Sequence, residues 1–152
     1  MLRENFSNRL KHALRTKNGD EVSTLRLIIA TLKDRDIAAR GKGNPNGIPE
    51  EEILGMLQGM IKQRRESITL YEQGNRPELV AKEQKEIDII SGFLPQQMDE
   101  AAMTAAITTV VAELGATTIK DMGRAMATLK ERHAGEMDFA KASAILKAKL
   151  SG

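Results

Sequence analysis

Apolar side chains recur at a helical period through almost the whole chain, and Gly, Pro and Asn break the recurrence at intervals. A period near 3.6 residues keeps one face out of water only when the backbone is helical. No run of β-branched or aromatic residues alternates with a period of two, apart from the short stretch at residues 107–111. The predicted fold class is therefore all-α. The aromatic side chains are Phe6, Tyr71, Phe93 and Phe139. Four rings can neither fill a core nor build the stacking platform on which single-stranded RNA binders lay bases.

Leu2, Phe6, Leu10, Ala13 and Leu14 share one stripe and predict a first helix over residues 2–17, stopped by Asn18 and Gly19. Val22, Leu25, Ile28, Ile29 and Leu32 predict a second over 20–40, and the short connection makes the two an antiparallel hairpin. Residues 41–47 read as a loop. Pro49 followed by Glu50, Glu51 and Glu52 then starts a third helix, because acids favour the positive end of the helix dipole. That helix runs through Ile53, Leu57, Met60, Ile61 and Ile68 to Tyr71, and Gly74 and Asn75 end it. A fourth opens at Pro77 and carries Leu79, Val80, Ile87, Ile90 and Leu94. Pro95 must end it, since the residue before a proline is pushed out of the α region.

The domain boundary is expected there: residues 1–94 form an N-terminal subdomain of four helices and 95–152 a C-terminal three-helix bundle. In the second part Asp99 caps a helix that Gly115 closes, Thr118 and Asp121 form a capping pair for the next, and Asp138 caps the last.

The net charge is +2, too small for bulk attraction to a polyanion, but it is unevenly spread. Residues 1–42 hold 10 bases and 5 acids, residues 43–94 hold 6 and 9, and the remainder holds 7 and 7. The N-terminal hairpin is the basic part. The N-terminus carries Arg3, Glu4 and Arg9 and no long apolar run, so a soluble cytoplasmic protein with no membrane association is expected.

Reactive groups are sparse. Without cysteine there is no thiol nucleophile, disulfide or zinc thiolate site. His12 and His133 lie in different subdomains without metal-ligand spacing, so they read as solvated surface groups, and neither a metal nor a cofactor is expected. None of the six serines sits in a nucleophile elbow. Gly41 and Lys42 lack the upstream glycine of a phosphate loop, because position 36 is Asp. Gly55 and Gly59 read as a packing notch, Met56 and Met60 as core filler, and Lys62, Arg64, Arg65 and Arg76 as members of an ion network with nearby glutamates.

Six stretches carry a resemblance: STLRLIIATLK at 23–33, MIKQRRESI at 60–68, GNRPEL at 74–79, EQKEI at 83–87, FLPQQ at 93–97 and GATTIKDMGRAM at 115–126. Together they resemble the YqeY proteins, stand-alone relatives of the tail domain of the GatB subunit of the tRNA-dependent amidotransferase. The resemblance implies a non-catalytic helical adaptor that binds tRNA and is associated with glutamine-dependent carbon–nitrogen ligase systems. It implies partners among tRNA, amidotransferase and aminoacyl-tRNA synthetase components. An accessory subunit of the ligase, and a protein-interaction module without RNA, are the alternatives. It supplies no catalytic residue, because the catalytic domain of the amidotransferase subunit has no counterpart here.

Lys120, Asp121, Met122 and Gly123 match a segment of the family and precede Arg124. As a helix start they offer backbone N–H groups and two bases to a phosphate, or else Asp121 caps and Gly123 permits close packing. The expected tRNA contacts are Arg9, Lys11, Arg15 and Lys17 on the hairpin, and Lys120 and Arg124 at the helix start.

Overall fold

A computed structural model describes residues 1–151. Among them are seven α-helices, one short 3₁₀ turn and no strand: α1 (Leu2–Arg15), α2 (Gly19–Gly41), α3 (Glu50–Gln73), α4 (Pro77–Ser91), α5 (Glu100–Leu114), α6 (Met122–Arg132), which the turn Ile119–Asp121 leads into, and α7 (Phe139–Ser151). The all-helical reading of the sequence is what the structure shows. The stretch at 107–111 lies inside α5. The chain divides into two compact units, Met1–Leu94 and the part that begins at Pro95.

In the first unit α1 packs on α2, and α4 packs on both α3 and α2. Phe6, Leu25, Ile28, Ile53, Met56, Leu57 and Ile90 are fully enclosed at its centre. The rings of Phe6 and Phe93 meet edge to face at a centroid distance of 4.9 Å, the geometry that the ring quadrupole favours. Met56 and Met60 fill this core as their spacing predicts.

The connection between α1 and α2 differs in detail from the sequence reading. Asn18 does not stop α1; it caps α2, its side chain accepting from the Glu21 N–H, and Gly19 is already helical. Lys17 takes the left-handed conformation instead, at φ +56°. That residue is not glycine, but the Asn18 N–H donates to the Ala13 carbonyl at 3.0 Å and closes the helix end.

The second unit encloses Met103, Ile107, Val110, Ala125, Leu129, Met137, Ala142 and Leu146. Here the local signals hold. Asp99 accepts from the Ala102 N–H, and Asp138 accepts from those of Ala140 and Lys141. Gly115 takes a left-handed φ of +63° at the end of α5. Thr118 and Asp121 form a reciprocal capping box.

Candidate nucleic-acid interface

Two of the α1 bases are paired with carboxylates. Arg9 was expected on the contact surface, but its Nε donates to Glu21, a carboxylate buried in the first turn of α2 and also held by the Asn18 side chain. Arg3 donates to Asp36 Oδ1 at 2.7 Å and to the Ile48 carbonyl at 2.8 Å. Asp36 accepts from the Ile48 N–H as well, at 2.9 Å. Burial opposes ionisation of Asp36, but the Arg3 and Ile48 hydrogen bonds and the charges of Arg3 and Arg40 outweigh it and hold the carboxyl below its ordinary range.

Lys11, Arg15 and Lys17 remain. All three are exposed, and none forms an ion pair among the described residues. Lys11 and Arg15 stand one turn apart on the same side of α1, where Arg15 Nε makes only a long 3.4 Å contact to the Lys11 carbonyl. Lys17 projects from the turn that follows. The hairpin thus buries two of its five acids in internal pairs and leaves eight of its ten bases exposed and outside any ion pair among the described residues: these three, and Arg26, Lys33, Arg35, Arg40 and Lys42.

The start of α6 is arranged differently. Asp121 Oδ2 accepts from the Thr117 and Thr118 N–H groups at 2.9 and 3.2 Å, and its Oδ1 accepts from Arg124 Nη2 at 3.0 Å. Those backbone bonds first, and the Arg124 charge after them, hold the Asp121 carboxyl below its ordinary range. A resident carboxylate therefore occupies the Thr117 and Thr118 N–H groups and one Arg124 nitrogen, while the Arg124 side chain stays half exposed. Lys120 is exposed and outside this arrangement. Gly123 does not serve close packing: a Cβ there would meet nothing within 4 Å. The same holds for Gly55 and Gly59, which corrects their reading as an internal notch.

Of the expected ion network, Arg64 is buried and donates to Glu86 at 2.9 Å, and Arg76 pairs with Glu78 at 2.7 Å, whereas Lys62 and Arg65 have no carboxylate partner among the described residues. His133 corrects its reading as a solvated residue, being half-buried with Nδ1 3.2 Å from Glu136 Oε2. Among the described residues no three His, Cys, Asp or Glu side chains converge as a metal site requires, and no single helix is long and apolar enough to cross a membrane.

Residues 3–150 match the family model described as Yqey-like protein. Among curated proteins the chain is similar to altered inheritance of mitochondria protein 41, mitochondrial, from three yeasts. It is 30% identical to that of Lachancea thermotolerans, covering 72% of this chain and 58% of the relative. It is 33% identical to that of Saccharomyces cerevisiae, covering 57% and 45%, and 30% identical to that of Vanderwaltozyma polyspora, covering 59% and 50%. The chain spans about half the length of these relatives.

Proposed function

The chain belongs to the YqeY-like protein family, and from that premise we propose that it is a helical adaptor that binds tRNA through the free bases of α1 and has no catalytic activity of its own. The observation that supports this reading is the division of labour among the hairpin bases: Arg3 and Arg9 are tied to buried carboxylates, and Lys11, Arg15 and Lys17 are exposed and unclaimed. Backbone phosphates need only positive charge at the right spacing, and neither stacking rings nor base-edge contacts. An adaptor of this kind binds with micromolar affinity or weaker, on the order of non-specific association.

The association with glutamine-dependent amidotransferase systems rests on the resemblance of the six sequence stretches and belongs to the same proposal. So does a cytoplasmic location; the yeast relatives are mitochondrial by name.

Titration of labelled tRNA at two salt concentrations tests the reading. Lys11→Ala is expected to weaken binding and to lower the slope of log affinity against log salt by about one, while Lys147→Ala, on α7, leaves both unchanged. Equal losses in the two variants, or no binding by the wild type at low salt, would move the assignment to a protein-interaction module. With glutamine, ATP and misacylated tRNA, the purified chain should yield no amidated product; turnover abolished by a point substitution in this chain would replace the adaptor with an enzyme.

A further inference from the structure

The solvent side of α3 carries a pattern that the first unit leaves unused. Glu52, Gly55, Gly59, Lys62 and Glu66 are spaced three and four residues apart, which puts them on one face of the helix, and all five are exposed. Among the described residues Glu52 and Lys62 have no ion-pair partner. Beside this face, between α2 and α3, runs a groove of about 470 Å³. Its α2 bank is Leu27, Thr31 and Arg35, and Leu27 is 44% exposed. Among the described residues, nothing covers it.

The charges on the α3 face are ordered in a particular way. Residue 57 lies midway between Glu52 and Lys62, midway between Gly55 and Gly59, and midway between Glu51 and Gln63. Reversing the direction of the helix about that point therefore exchanges acid for base and glycine for glycine. A second α3 laid antiparallel across the first at residue 57 would set Glu52 against Lys62 twice, with the glycines at the crossing, where the missing side chains let two backbones approach. A parallel arrangement would set Glu52 against Glu52 and Lys62 against Lys62, so the charge pattern selects the antiparallel one. The reversed helix also lies alongside the α2 bank and shields Leu27.

From this complementarity we propose that the α3 face and the adjoining groove are the contact between two copies of this chain, related by a two-fold axis that runs between the two α3 helices at the level of residue 57. One helix face with part of a groove is small against the roughly 800 Å² per partner of a standard stable interface. The dimer is accordingly weak and depends on concentration.

Analytical ultracentrifugation of the full chain, from about 1 µM to about 1 mM, tests this. The wild type is expected to pass from monomer to dimer across that range. Glu52→Lys and Lys62→Glu each place like charges together twice per dimer and should raise the dissociation constant about tenfold or more. The Glu52→Lys/Lys62→Glu double variant restores opposite charges and should return to within about threefold of the wild type. Gly59→Leu should abolish the dimer, and thermal melts of dilute samples establish that each variant is folded. A wild type that stays monomeric throughout would overturn the proposal. So would a dimer indifferent to both single reversals, or a folded double variant that fails to recover.

Discussion

In the unit Met1–Leu94 three charged side chains are buried, Glu21, Asp36 and Arg64, and each is held by a residue of another element: Arg9 of α1, Arg3 of α1 and Glu86 of α4. In the unit that begins at Pro95 no charged side chain among the described residues is buried, and Asp99, Asp121 and Asp138 sit at helix starts. The two units use charge for different ends. In the first, ion pairs between neighbouring helices, α1 with α2 and α3 with α4, help fix how the helices are joined. In the second, carboxylates fix where each helix begins, and apolar packing joins the helices, with one exposed ion pair, Arg132 with Glu113, between α6 and α5. The consequence for function is that pairing in the first unit selects which of its many bases stay available.

That contrast can be broken at its strongest point first. Glu86→Ala leaves the guanidinium of Arg64, 8% exposed, without its carboxylate, with only the Met60 carbonyl as acceptor. Uncompensated buried charge costs about 3 kcal/mol, and chemical denaturation should show that loss in the first unit while amides of the second keep their exchange protection.

Asp36→Ala comes next. It orphans the Ile48 N–H and releases Arg3, for an expected loss of about 2 kcal/mol. Because the Asp36 carboxyl titrates below its ordinary range in the folded chain, its contribution is complete at neutral pH. It should fade as the pH falls below about 4, and a stability profile against pH should lose part of its acid limb in the variant. Loop residues 42–48 should then exchange amide hydrogens faster.

In the second unit the effects should be smaller and local. Asp99→Ala and Asp138→Ala should each cost about 1 kcal/mol, with faster exchange confined to the first turns of α5 and α7. The smallest effect has the opposite sign. Gly123→Ala, placed where a Cβ meets nothing, should stabilise α6 by a few tenths of a kcal/mol, readable as a small rise in melting temperature. A loss there would mean that the open space is needed by something the helix contacts.

What could be read in advance follows the same division. The caps at Asp99, Asp121 and Asp138 and the left-handed Gly115 are local, so residue type and a spacing of a few positions suffice to find them. The pairs Arg9 with Glu21 and Arg3 with Asp36 span 12 and 33 residues, and no local rule connects their ends. One signal did exist. Glu21 and Asp36 lie on the same helical stripe as Leu25, Ile28 and Leu32, and Arg64 on the stripe of Ile53, Leu57 and Met60, so each charge stood at a position reserved for the core. A charge there must be paired. The turn at Lys17 was misread for a related reason: Asn18 and Gly19 suit both a helix end and a helix start, and the capping bond to Glu21 decides between them.

Lysine acetylation footprinting of the full chain with and without tRNA tests most directly whether pairing in the first unit leaves a phosphate-binding set on α1. The account predicts that Lys11 and Lys17 lose reactivity when tRNA is present, while Lys120, Lys141, Lys147 and Lys149 of the second unit keep theirs. Protection spread evenly over both units, or confined to Lys120, would contradict it.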